Sequence, residues 1–330
     1  MGFGNSQYPQ KIETSQTVAW VNGVPIESRE FEAALLAERI GVISYFQTTY
    51  GAEYDNRFWN TLYGGEKPIE ILRRKALDAC VRNKVQQMEA IKYGILDEQG
   101  ASYTTFLHRL TDENNRREEA VKRNEVIYGP TQYEEQDFYS YLLSNVANKL
   151  KEQLVSGELA LTTEELETFY DRKKDQMFMK SPYIKMKKVL VPLQSGGNSS
   201  IQLAEKIRKN AIELKSLKQA VNKWDKDLQV TEQVFDDKSK RDDNKYFPEI
   251  LEAVNVLKSG EVSEVIPVPE GNVVIEIVER RDYGYVSYSE VKDQVRSMLI
   301  DEKYASWLKK KIKQTQVKVN SIVYEETNVL

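Results

Sequence analysis

The chain holds one histidine, His108, and one cysteine, Cys80, so chemistries that need paired imidazoles or clustered thiols are closed by count. A serine or cysteine triad would have to use His108 as its base, and no nucleophile is marked out near it; an ordinary surface histidine is the plainer reading. The His-Glu-x-x-His zinc pattern cannot occur with one histidine, and no glycine-rich phosphate cradle is present, so neither metal nor cofactor is predicted. Cys80 alone can form no intramolecular disulfide and no cysteine-based zinc cluster. It lies on an apolar helical stripe, which predicts a packing role. Acid pairs such as Glu164-Glu165 read as solvated faces. Lys188 stands out because it shares a strand face with Met186 and Leu190. It is either a desolvated ammonium with a depressed pKa or a stem that packs while its charge reaches water.

The aromatic run Tyr45, Phe46, Tyr50, Tyr54, Phe58, Trp59 and Tyr63 offers binding chemistry of another kind. A concave apolar surface accepts many exposed aliphatic and aromatic groups without sequence specificity. Phe46, Tyr50, Phe58, Trp59 and Tyr63 are the candidates for it, and the competing reading is that these rings fill a core. Lys309, Lys310, Lys311 and Lys313 could touch anionic lipid, but cations favour a helix C-terminus in any case. The sequon Asn198-Ser199-Ser200 reads as a turn.

A chain of 330 residues is long enough for two cores. With 30% charged and 40% hydrophobic residues it has the composition of an ordinary globular protein, and no stretch approaches the ~20 apolar residues of a membrane helix. The formal charge of -4 gives no broad cationic field, which argues against nucleic acid as a partner. The start Met1-Gly2-Phe3-Gly4-Asn5-Ser6 formally fits the myristoylation pattern, although so short a match arises easily by chance. A trimmed start is the plainer reading, from which a signal peptide or lipid anchor could have been removed.

Residues 1–16 are polar and expected to be loose. Val18 to Ile26 read as a short hairpin around Asn22-Gly23, followed by a helix capped by Ser28 and carrying Phe31, Ala34 and Leu35. No pattern assigns an element to 40–66. Amphipathic helices are predicted over 69–91, around Phe106 to Leu110 and over 134–154, and Thr162 with Glu165 forms a capping box for one more. At Ser181-Pro182 the period changes from helical to alternating, with Ile184, Met186, Lys188 and Leu190 on one strand face. A loop at 196–200, a helix through Leu203 to Leu214, strands at 228–235 and 273–279 and a short helix near Ile250 to Leu257 follow. A last helix begins at Ser287 with Glu290 three residues on, and Val317-Lys318-Val319 reads as a terminal strand.

Three stretches together resemble the SurA/PrsA family of folding factors. "VAWVNGVPIESREFEAAL" (18–35) is similar to the family's first strand and helix, and "LTTEELETFYDRKKDQM" (161–177) to the helix leading into its isomerase domain. "YSEVKDQVRSMLIDEKYASWLKKKIKQTQVKVN" (288–320) is similar to the C-terminal helix and strand that return to the N-terminal lobe. Residues 183–281 resemble a parvulin-type prolyl isomerase domain, best over "FPEILEAVNVLKSGEVSEVIPVPEGNVVIEIVER" (247–280).

The resemblance implies an α+β fold: a mostly helical chaperone lobe built from both chain ends, with an inserted parvulin-like α/β domain. The expected divisions are a loose segment 1–16, a helical lobe 17–180, a parvulin-like domain 181–281, and a helix and strand 282–330 that complete the lobe. It further implies an ATP-independent chaperone or foldase outside the cytoplasm, with unfolded or partly folded proteins as partners. Contact with a membrane would be only through an anchor absent from this chain, and a homodimer is compatible with it. Two other functions stay open, an active isomerase with a histidine-free groove and an assembly scaffold for one specific partner.

The departures from the parvulin pattern bear on activity. Lys188 takes the place of its first histidine and Val273 that of its second. The glycine-pair segment is replaced by the charged stretch Asp236 to Lys245. No catalytic residue of the family carries over, and a degenerate site at Lys188 and Val273 is the expectation.

Overall fold

The computed structural model describes residues 16–193, 198–237, 239, 245 and 248–327. The expected loose start, save its last residue, therefore lies outside the described residues, as do Gly196-Gly197 and most of the charged stretch after Phe235. The described structure separates into two compact units, one drawn from the chain up to Thr162 together with Arg296 onward, the other from Thr163–Val295. Among the described residues no helix is long and apolar enough to cross a membrane.

In the first unit the two chain ends share a sheet. Strands β1 (Thr17–Val21) and β2 (Val24–Glu27) form the hairpin, and β7 (Val317–Val319) pairs antiparallel with β1, placing Ala19 opposite Val319 and Val21 opposite Val317. Asn22 and Gly23 both take positive φ, 48° and 87°, as a two-residue hairpin turn of this twist requires. Strands this short are unstable alone, so pairing across the whole length of the chain is what gives the sheet three strands.

Helices α1 (Ser28–Tyr50), α2 (Pro68–Lys92), α3 (Tyr103–Lys122) and α4 (Glu135–Val155) follow the hairpin. Ser28 is already helical and Glu27 occupies the cap position of α1 without a capping bond. The Glu27 carboxylate instead accepts from the backbone N–H groups of Tyr103 and Thr104 at 3.0 and 3.1 Å, so it stabilises the start of α3. The segment without a sequence pattern resolves into the last turns of α1, a 3-10 turn at Phe58–Asn60 and a bend at Gly64-Gly65. One core joins Phe31, Leu35 and Phe46 of α1, Leu72, Ala76 and Cys80 of α2, Leu150 and Leu154 of α4, and Tyr304, Trp307 and Leu308 near the chain's end. Cys80 is 1% exposed, so it packs as its position on the stripe predicts.

The second unit begins with α5 (Thr163–Met177), earlier than the change of period at Ser181 suggests. The physical reason lies in its far end. Tyr170 donates to the Val286 carbonyl at 2.6 Å and stacks on Phe178, while the backbone bonds Lys180 to Gly284 and Val286 to Phe178 tie the exit of α5 to the end of the domain. Then come β3 (Tyr183–Pro192), α6 (Asn198–Leu214), α7 (Leu217–Trp224), β4 (Val230–Phe235), α8 (Pro248–Asn255), β5 (Ile266–Val268) and β6 (Gly271–Arg281). The sheet is antiparallel in the order β4-β3-β6-β5. Asn198 opens helix α6, so the sequon belongs to a helix start and not to the turn expected there.

Helix α9 (Tyr288–Lys313) carries the chain out of this unit and a short helix α10 (Ser321–Glu326) ends the described part. Glu290 accepts from the Ser287 N–H at 3.0 Å and from its hydroxyl at 2.5 Å, the back-bond of the capping box expected there. At the other end of α9, Lys311 pairs with Glu89 at 3.2 Å.

Candidate functional site

The sheet of the second unit is buried unequally on its two faces, and that inequality makes the site. Val189, Val191 and Val274 point to the face covered by α6 and α7, where they pack with Ala204, Ile207, Leu217 and Val221. Ile184 and Met186 point the other way and pack with Ile250 and Val254 of α8, together with Ile275 and Ile277. Helix α8 has only eight residues, and the remainder of that face is an open cleft of about 570 Å³ containing Lys188, Leu190, Ile250, Val268 and Val273.

Gly271 fixes the end of the cleft. A Cβ there would lie 2.2 Å from the Val191 carbonyl oxygen, so the β5–β6 turn approaches β3 only because residue 271 has no side chain. Gly271→Ala is expected to destabilise the chain by about 1–3 kcal/mol, the usual penalty for overpacking. Thermal melting of the full chain measures it, and a melt unchanged from wild type would show that the turn relaxes freely.

Lys188 and Val273, which the resemblance sets in the places of the parvulin histidines, lie in one cleft. Leu190 is the residue directly opposite Val273, and Lys188 is opposite Ile275. Lys188 is half-buried, its ammonium donates to Gln233 Oε1 of β4 at 2.7 Å, and burial pushes its pKa below the ordinary lysine value. Lys188 is thus neither fully buried nor on an open surface. Val273 is 4% exposed and contributes only apolar surface. His108 is exposed on α3, in the other unit. Among the described residues no group of side chains could hold a metal ion.

The aromatic candidates divide by burial. Phe46 and Phe58 are fully buried and Trp59 is 7% exposed, so these three belong to the core. Phe46 lies 5.5 Å from Tyr50, 6.0 Å from Phe58 and 5.6 Å from Tyr63, ring centre to ring centre. Tyr63 is half-buried and Tyr50 is exposed at the edge of the cluster. Tyr45 and Tyr50 both donate to Glu66 Oε2, at 2.8 and 3.1 Å, and Arg39 donates to the Tyr54 hydroxyl at 2.7 Å. The bend at Gly64 is part of the same construction, since a Cβ there would meet the Tyr50 ring. The accessible rim consists of Tyr45, Tyr50, Tyr54 and Leu62.

Two features escaped the sequence reading. Glu30 and Lys84 form an ion pair at 2.8 Å with essentially no exposure. The signal was present: Cys80, Lys84 and Met88 share one helical face, so a charge falls inside the apolar stripe of α2. The other is Arg117, which donates to the carbonyls of Tyr128 and Pro130 at 3.0 and 2.8 Å and lies over the Tyr133 ring. In the sequence it is one of the many charged residues between Asp112 and Arg123, with no spacing that sets it apart.

Comparison with known proteins agrees with this architecture. Residues 161–293 match the family model described as a PPIC-type PPIase domain. The foldase protein PrsA of Clostridium botulinum (strain Langeland) is 21% identical over 329 residues, covering 97% of this chain and 91% of that protein. A Bifidobacterium longum protein named chaperone for lacto-N-biosidase is 26% identical over 146 residues, 44% of this chain and 51% of that one, so the chain spans about half the length of that relative. A solved structure from work on the SurA-like chaperones PEB4 and Cj1289 of Campylobacter jejuni is 15% identical and covers 92% of this chain and 98% of its own, at a TM-score of 0.32. A superposition at that score defines no shared fold. With an isomerase-type domain matched in the second unit and similarity to a PrsA foldase running nearly end to end, residues 161–293 form a parvulin-type domain in a chain that resembles the SurA/PrsA folding factors.

Proposed function

We propose that this protein is an ATP-independent chaperone or foldase for unfolded or partly folded proteins outside the cytoplasm. Its helical unit holds the client and its parvulin domain does not catalyse. The relatives named as foldases and as a chaperone support the general role. The observation that carries the finer reading is the cleft, where Lys188 and Val273 stand in the histidine places while the chain's one imidazole is on the other unit.

Rotation about an X-Pro bond is slow, and a catalyst must stabilise a twisted amide without breaking a bond. A cation on the floor of an apolar pocket is poorly suited to a proline ring. The exposed rim of the aromatic cluster gives the helical unit apolar surface that a client's own exposed groups can meet.

Proline isomerisation of a peptide substrate, followed by exchange NMR, should run near its uncatalysed rate with the full chain present, and Lys188→Ala should leave that rate alone. Acceleration of about a hundredfold, within reach of one positioned catalytic group, would overturn the non-catalytic reading. The open, largely apolar cleft favours a second reading, isomerisation by desolvation alone, and the same measurement decides between the two.

A further inference from the structure

We propose that a small cavity of the helical unit is a side-chain pocket for a threonine or serine residue of a client, with Gln87 as the acceptor of its hydroxyl. This rests on the reading of that unit as the client holder and adds a selective element to it. The cavity, of about 50 Å³, lies among α2, α3 and α4. Gln87, Phe106 and Val146 are its buried part, at 6%, 5% and 7% exposure, while Leu96, Arg109 and Leu142 are half-buried, so it opens toward the surface on their side.

Gln87 supplies the polar feature. Its Oε1 is buried and finds no hydrogen-bond partner among the described residues, and a buried acceptor left so costs free energy that an entering donor recovers. The last torsion of a glutamine is broad, so the amide can turn this oxygen toward such a donor. The neighbouring polar groups are already committed: the Tyr139 hydroxyl donates to Glu30 Oε1 at 2.9 Å, and Arg109 pairs with Asp97 at 2.5 Å. Arg109 is the one charged residue among the described residues that line the cavity. With its charge balanced, the site selects a neutral donor.

Size decides the rest. An engineered cavity of about 150 Å³ holds benzene, and one about a third as large has room for roughly two or three non-hydrogen atoms. A threonine side chain offers a hydroxyl to Gln87 and a methyl to Phe106 and Val146. A free molecule of that size binds weakly, because affinity is bounded per atom. A residue within a longer segment is held in place by the rest of its chain.

Unstructured peptides that differ only in a central threonine or valine, dye-labelled and added to the full chain, test this by fluorescence anisotropy. The two side chains have nearly the same shape, and the threonine peptide should bind about fivefold tighter, the net effect of one hydrogen bond. Gln87→Met should erase that preference. Because it also removes an unpartnered buried polar atom, this variant should fold at least as well as wild type. In the wild-type chain, NOEs from the peptide's threonine methyl to the Phe106 ring should place the side chain without any variant.

Equal binding of the two peptides would overturn the proposal, as would a preference that survives Gln87→Met or a threonine methyl with no NOE to Phe106. Displacement of the threonine peptide by micromolar ethanol would overturn it as well, by assigning the cavity to a free alcohol. Failure of the full chain to suppress aggregation would instead sink the client-holding role, and the two failures are distinguishable because the peptide comparison involves no aggregation.

Discussion

Lys84→Met is expected to lower the stability of the helical unit by about 3–5 kcal/mol, the range for removing one partner of a buried ion pair. Glu30 and Lys84 are 1% and 0% exposed and 2.8 Å apart. The Lys84 ammonium also donates to the Ala101 carbonyl at 2.5 Å, and Tyr139 donates to Glu30 Oε1 at 2.9 Å. The group thus ties α1, α2 and α4 to the segment that leads into α3. Without the cation, the Glu30 carboxylate is left in a core that cannot solvate it. The double variant Glu30→Gln with Lys84→Met removes both charges and should recover much of the loss, because an apolar replacement of a whole buried pair is often neutral.

The pH dependence of the single variant checks the cause. Burial raises the pKa of Glu30 above the ordinary carboxyl value, against the opposing pull of Lys84. In Lys84→Met that pull is gone, so the folded-state pKa stands further above the unfolded one. Between those two values the folded state binds the proton more readily than the unfolded state, so stability rises as pH falls through the window. Urea unfolding followed by circular dichroism should show the variant's deficit narrowing on acidification. A deficit independent of pH would mean that lost packing, not stranded charge, explains it.

The same pair shows how much of the fold can be read from the sequence. The hairpin at Asn22-Gly23, the long helices and the change of period near Ser181 were legible because each is written in local periodicity and turn chemistry. The return of β7 to β1 was legible only through resemblance, since no local pattern links residues about 300 apart. Strand β5, at three residues, is too short to show a period, and α7 follows α6 with only Lys215 and Ser216 between them. At the site, Lys188 and Val273 could be named from the family pattern, but their cleft depends on how little of the sheet the short α8 covers. The burial of Phe46 and Phe58 was illegible for a related reason: an aromatic-rich run has the same composition whether its rings face inward or outward.

That division of the aromatic cluster makes the last prediction, which separates stability from client binding. Phe46→Ala or Phe58→Ala should cost about 3–5 kcal/mol, because each ring is fully buried and its removal leaves a cavity among rings already fixed by their neighbours. Leu62 and Ile40 are 62% and 78% exposed, so Leu62→Ser and Ile40→Ser should stay within about 0.5 kcal/mol of wild type. If the helical unit holds clients through exposed apolar surface, these stable surface variants should suppress aggregation of an unfolding client less well than wild type. The core variants, assayed where they remain folded, should keep their activity. Suppression that falls only in Phe46→Ala and Phe58→Ala, in step with their stability, would mean that folding alone sets the activity and that clients bind elsewhere.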